Sequence, residues 1–125
     1  MKNEYSILRS LMFVPGHNEK LITSASNSNA DALLFDLEDS VQPPVNKAIA
    51  RKLILKKLRE NKLSQFKKFV RLNEIETEYF LQDVLQLSKA PIDGFLLSKT
   101  NTSEDVIYLD SLLTSIEKEL GLNAG

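Results

Sequence analysis

Ala30-Asp31-Ala32-Leu33-Leu34-Phe35-Asp36-Leu37-Glu38-Asp39-Ser40 is the stretch that decides the fold. Residues 30–37 form a strand-sized apolar run, and the acids that follow mark its carboxyl end. Working outward, residues 7–14 read as an earlier strand, stopped by Pro15-Gly16, where proline restricts the backbone and glycine tolerates a sharp turn. Between the two strands, Asn18 caps a short helix carrying Leu21, Ile22 and Ala25. The Ser26-Asn27-Ser28-Asn29 run breaks that helix, because short polar side chains compete for backbone hydrogen bonds.

Beyond the acids, Pro43-Pro44 lead into Val45, Ala48, Ile49, Leu53, Leu55 and Leu58 at helical spacing, with Lys and Arg between them. Residues 66–72 are a third strand, and Phe80, Leu81, Val84, Leu85 and Ser88 suggest a third helix. Residues 92–97 are a fourth strand. Thr102 caps a last helix through Val106, Leu109, Leu112, Leu113, Ile116 and Leu120, with Gly121 as its stop. Four strand–helix units of this kind predict an α/β fold with a parallel sheet covered by its crossovers. No composition shift marks a linker, so residues 1–125 read as one domain, with a frayed end or the start of a loop after Gly121.

A chain of 125 residues can bury a sizeable core, and 42% apolar with 26% charged residues argues against disorder. The net charge of −1 supplies no general attraction to nucleic acid or anionic membrane, and no aromatic-lined basic groove is evident. Without cysteine there is no disulfide, thiolate nucleophile or thiolate metal site. The polar start at residues 1–6 lacks the apolar stretch of a secretory signal, and no run reaches the ~20 apolar residues of a membrane helix. The expectation is a cytoplasmic protein with no membrane partner.

The candidate chemistry gathers at the strand ends. If the second strand persists through Glu38, Asp36 and Glu38 share one face. They would then hold water, orient an arginine or join a magnesium site; a strand-end salt bridge with an Asp39 or Ser40 cap is the structural alternative. Arg71 and Asn73, also spaced by two, suit a small carboxylated substrate through a two-point guanidinium contact and a directional amide bond. The alternative, slightly favoured by spacing alone, is Arg71 paired internally with Asp36 or Glu38. Lys99 can neutralise a carboxylate or phosphate, or serve as a structural partner, while Thr100 and Thr102 cap the next helix.

His17, in Pro15-Gly16-His17-Asn18, is the single histidine and reads as a surface turn before a general base. Arg51, Lys52, Lys56 and Lys57 suit a solvated helix face more than an external phosphate such as that of coenzyme A, and no phosphate-binding residue is assigned. Neither a nucleotide-binding glycine fingerprint nor a zinc spacing is present.

Taken together, Arg9-Ser10-Leu11-Met12-Phe13-Val14-Pro15-Gly16, Phe35-Asp36-Leu37-Glu38-Asp39-Ser40-Val41, Val70-Arg71-Leu72-Asn73 and Gly94-Phe95-Leu96-Leu97-Ser98-Lys99-Thr100 resemble the amino-terminal half of the citrate lyase beta-subunit family, within the HpcH/HpaI aldolase superfamily. The resemblance implies a magnesium-assisted carbon–carbon lyase on a (β/α)8 barrel, acting on citryl-, malyl- or related acyl-coenzyme A and often oligomeric. It gives Arg71 the acyl substrate, and gives Asp36 and Glu38 the organisation of the pocket. Lys99 is usually preceded by proline, and Ser98 departs from that pattern. The family's two magnesium carboxylates fall beyond Gly125, so no metal ligand is assigned within this chain.

The expected architecture is therefore a half-barrel of four units, a partial TIM-barrel-like domain. Two functions stand beside each other. One is an acyl-coenzyme A carbon–carbon lyase component completed by a carboxyl-terminal part. The other is a noncatalytic interaction protein whose open strand edges, near Leu11 and Phe95, pair with a second copy.

Overall fold

The computed structural model describes residues 7–123. The polar start at 1–6 and the end of the tail at 124–125 lie outside the described residues. Four strands alternate with four helices: β1 (Leu11–Pro15), α1 (Glu19–Ser26), β2 (Ala32–Asp36), α2 (Asn46–Arg59), β3 (Lys67–Arg71), α3 (Phe80–Leu87), β4 (Gly94–Leu96) and α4 (Ser103–Leu120). The sheet order is β1-β2-β3-β4 and every pairing is parallel. This is the sequential order of consecutive units in a (β/α)8 barrel, as the apolar strands and amphipathic helices predict.

Period-two geometry divides the strands into two faces. Val14, Leu33, Phe35 and Val70 point to one, where they form a buried cluster with Ile22 and Ala25 of α1, Ala50, Ile54 and Leu58 of α2, and Leu87 of α3. Burying each large apolar side chain contributes on the order of 1.5–3 kcal/mol, which is what holds the helices to this face. A second cluster of Leu72, Phe80, Val84, Leu109 and Ile116 ties the end of β3 to α3 and α4. The opposite face carries Leu11, Phe13, Leu34, Asp36, Phe69, Arg71 and Leu96 in register. Leu34 in its middle is buried, whereas Leu11, Phe13 and Leu96 on the outer strands are exposed.

The helix ends follow the sequence. Asn18 accepts from the Leu21 amide at 3.1 Å, and Asn27 closes α1. Thr102 and Asp105 form a reciprocal capping box on α4, and Gly121 ends it at φ 66°, the left-handed backbone that favours glycine.

The strands are shorter than their apolar runs. Residues 7–10 precede β1, because the Arg9 and Ser10 amides turn to the Asp31 carboxylate at 2.7 and 3.1 Å. The fourth strand keeps only three of residues 92–97.

The apolar stripe of α2 also differs from expectation. Val45 and Ile49 are exposed, and the buried residues are Lys47, Ala50, Arg51, Ile54 and Leu58. Asp39 and Ser40 do not cap this helix; Val45 stands at its N-cap without a side-chain bond.

Candidate active site

The polar side chains of the carboxyl strand ends are organised by Asp36, the last residue of β2. Arg71, its register partner at the end of β3, donates from Nε to Oδ1 and from Nη2 to Oδ2, each at 2.8 Å. The same carboxylate accepts the Glu38 amide at 2.9 Å, the Ser40 amide at 3.0 Å and the Ser40 hydroxyl. Burial works to raise the Asp36 pKa, but the Arg71 guanidinium, the Ser40 hydroxyl and the two amides outweigh it and hold the carboxyl well below its ordinary range. Arg71 stays partly open to solvent and lies over the Phe13 ring, 5.3 Å from its centroid.

Of the two internal pairings open to Arg71, the structure forms the one with Asp36. The condition under which Asp36 and Glu38 would share a strand face is not met: the strand ends at Asp36, and the Glu38 amide turns back onto the Asp36 carboxylate. An aspartate whose side chain can bind the amide two residues on favours a turn over a longer strand.

Lys99, in the loop after β4, reaches three acids: Glu74 at 3.0 Å, and Glu38 and Asp39 at 3.3 Å each. These neighbours, Glu74 first, raise the Lys99 pKa. Its backbone sits at φ 47°, a region non-glycine residues rarely enter. The preceding Ser98, where the family pattern has proline, donates its hydroxyl to the Leu72 carbonyl. Glu38 is 5% exposed and its Oε2 has no hydrogen-bond partner among the described residues. Burial, followed by the adjacent Asp39, raises the Glu38 pKa, while Lys99 and Arg71 oppose the shift.

Arg71 and Asn73 do not converge on one ligand position. Asn73 is buried, and its amide and Nδ2 both donate to Oδ2 of Asp83, at 3.0 and 2.8 Å. The other Asp83 oxygen takes Nε and Nη2 of Arg51 at 3.1 and 2.9 Å. Arg51, read from the sequence as part of a solvated cationic face, is instead a buried partner locking α2 to α3. Lys47, which the apolar spacing passed over, is buried and donates to the Leu37 and Glu38 carbonyls at 3.0 and 2.9 Å. The signal for both is their spacing with Ala50, Ile54 and Leu58 along one helical stripe.

Gly16 lies where β1 hands over to α1, and its amide donates to the Asp36 carbonyl at 2.9 Å. A Cβ there would stand 2.7 Å from that carbonyl oxygen and 2.6 Å from Ile54 Cδ1, so this glycine serves a close approach within the fold. The neighbouring His17 is half-buried and its Nδ1 has no hydrogen-bond partner among the described residues. An apolar cavity of about 590 Å³, lined by residues such as Pro91, Phe95, Leu113 and Ile116, lies at the opposite, amino-terminal end of β4 and shares none of these polar groups.

The acids do not make a magnesium site by themselves. Both Asp36 oxygens are taken by Arg71, Ser40 and amides, while Glu38, Asp39 and Glu74 face the Lys99 ammonium. Among the described residues, no group of three or more His, Cys, Asp or Glu could hold a metal ion. No helix among them is long and apolar enough to cross a membrane.

Sequential parallel βα units with an acid–arginine centre at the strand carboxyl ends define part of a TIM-barrel-like α/β protein, a fold whose sites lie at that end. The family model for HpcH/HpaI aldolase/citrate lyase matches residues 9–125, and the chain belongs to that family. It is 36% identical over 125 residues to the citrate lyase subunit beta of Leuconostoc mesenteroides subsp. cremoris, covering all of this chain and 41% of that protein. It is 35% identical over 118 residues to the L-malyl-CoA/beta-methylmalyl-CoA lyase of Cereibacter sphaeroides, covering 90% of this chain and 36% of that one. The solved citrate lyase beta subunit from M. tuberculosis, complexed with oxaloacetate and magnesium, superposes with a TM-score of 0.64 at 24% identity, over 79% of this chain and 42% of that one. That likeness shows the fold. The chain spans about two fifths of the length of the curated relatives it matches.

Proposed function

We propose that this chain is the arginine-bearing part of a carbon–carbon lyase acting on citryl-coenzyme A, malyl-coenzyme A or a related acyl-coenzyme A. The observation that carries the reading is the Asp36–Arg71 pair at the strand carboxyl ends of a chain in this family. Arg71 presents a permanent positive charge, partly open to solvent, to the substrate acyl group as negative charge develops there. Asp36 holds the guanidinium in plane, and Glu38 lines the pocket beside it. Lys99 would meet a substrate carboxylate by exchanging one of its three acids, Glu74, Glu38 or Asp39, for it. Asn73, buried on Asp83, acts only through the position it gives the end of β3.

Magnesium, when bound, would polarise the acyl carbonyl. The residues described here do not form its site, so the proposal assigns its ligands to a complementary part outside this one-domain chain. The decisive assay mixes the chain with the carboxyl-terminal part of a relative and follows magnesium-dependent release of acetyl-coenzyme A from citryl- and malyl-coenzyme A. Activity lost on Arg71→Ala is expected; an assembled complex inactive on both substrates would overturn the reading.

A noncatalytic role remains the second reading, favoured by the outer positions of β1 and β4 and by exposed Leu11, Phe13 and Leu96. Two copies could then pair β4 with β1 of the other copy. Light scattering decides it: a stable dimer that binds no acyl-coenzyme A supports this role, and a monodisperse monomer removes it.

A further inference from the structure

We propose that Lys47 is the positioning residue of the acidic turn, its buried ammonium fixing the Leu37 and Glu38 carbonyls and thereby setting where the Glu38 carboxyl stands. The first observation is that Lys47 is in the wrong place for a helix. It lies in the first turn of α2, where the macrodipole disfavours a cation, and no acidic residue of that turn offsets it. The second is that it is 6% exposed, so the ammonium has given up water. A cation that is unfavourable both for its helix and for its burial must be compensated elsewhere.

The compensation is the turn. Lys47 Nζ donates to the Leu37 carbonyl at 3.0 Å and to the Glu38 carbonyl at 2.9 Å. It also lies 5.6 Å from the centroid of the Tyr79 ring. Burial lowers the Lys47 pKa, and the charges of Asp83, Glu38, Asp36 and Asp39 oppose that shift. The acidic turn is thus held from two sides: the Asp36 carboxylate takes its amides, at Glu38 and Ser40, and Lys47 takes its carbonyls. Between those anchors the Glu38 side chain is kept buried, and its Oε2 has no hydrogen-bond partner among the described residues. Without Lys47 the two carbonyls lose their shared donor.

The role deepens the proposed lyase reading, which supplies the pocket that Glu38 lines. Its test is read on the chain without substrate, so the two can fail separately. Amide hydrogen exchange is compared between the unsubstituted chain and Lys47→Met, which keeps an apolar stem and removes the charge. The turn amides of Glu38, Ser40 and Val41 are expected to exchange faster by about tenfold or more, the scale of one charge-assisted hydrogen bond. The ladder amides of Leu37 and Leu72, bonded to Arg71 and Leu96 carbonyls, are expected to keep their protection. Equal acceleration at all five, or none at the turn, overturns the proposal.

Because the chain has no cysteine, Lys47→Cys can be alkylated uniquely in denaturant with 2-bromoethylamine and refolded, restoring an ammonium at nearly the same reach. That adduct is expected to recover turn protection, and the neutral iodoacetamide adduct is not; equal protection in both overturns the assignment. Should the substituted chains not fold, the unsubstituted one decides. A slowly exchanging Lys47 ammonium resonance with contacts to the Tyr79 ring is expected, and a freely exchanging one overturns the role.

Discussion

Arg71 and Asp36 close β3 and β2 as register partners and meet through two parallel hydrogen bonds of 2.8 Å each. The Asp36 side chain is 2% exposed and that of Arg71 22%, so the acid is covered while its guanidinium faces outward. The pair therefore links fold stability to the charge presented at the candidate site.

Asp36→Asn is expected to weaken the fold at neutral pH and flatten its acid dependence. The carboxyl is held below its ordinary value of 3.8 by Arg71, Ser40 and two amides against the opposing effect of burial. The stability it lends is full above that unfolded value and falls away as pH drops toward the depressed folded one. Thermal melts between pH 7 and pH 2 check this. Parallel pH profiles for the two proteins would contradict it.

Glu38→Gln is expected to act with the opposite sign. Burial first, and Asp39 next, raise this carboxyl above its ordinary 4.5, so the folded chain holds the Glu38 proton more tightly than the unfolded chain. Its contribution is present below the unfolded value and is lost as pH rises through the raised one. The substituted chain should match its parent in acid and become the more stable of the two as pH rises past that window. Urea melts at several pH values would refute the idea if the difference were constant.

Asp83→Ala should be among the most damaging single substitutions. It leaves both Asn73 donors without their acceptor and the buried Arg51 guanidinium without its carboxylate, keeping only the Tyr79 carbonyl at 3.4 Å, a loss of about 3–5 kcal/mol for one half of a buried pair. A urea midpoint shift appropriate to less than 1 kcal/mol would show that the network contributes little.

Gly16→Ala should destabilise by about 1–3 kcal/mol, the range for overpacking, because the added Cβ meets the Asp36 carbonyl at 2.7 Å and Ile54 at 2.6 Å. Gly94→Ala is the control, since its Cβ would only touch the Phe69 ring at 3.4 Å. Equal midpoints for the two would refute the close-approach account.

The order of elements was legible from the sequence because each rests on local chemistry. Apolar runs of strand length, Asn18 and Thr102 as caps and Gly121 at a left-handed stop need only their immediate neighbours. The strand-end residues Asp36, Glu38, Arg71 and Lys99 were likewise visible as polar groups following apolar runs, and an internal Asp36–Arg71 pair was among the readings that spacing allowed.

Tertiary structure alone decided which stripe of α2 faces inward and who partners whom. Val45 and Ile49 have the apolar character of core residues, yet Lys47 and Arg51 hold the buried positions. The reason is that a cation is buried only where acceptors wait for it, and those acceptors come from elsewhere in the chain: the Leu37 and Glu38 carbonyls for Lys47, and Asp83, 32 residues on, for Arg51. The same holds for the strand ends, where the Asp36 carboxylate, by taking the Glu38 and Ser40 amides, stops β2 before its apolar run is finished. Local pattern sets what each segment can form, whereas the pairing of distant donors and acceptors sets where it ends and which side it buries.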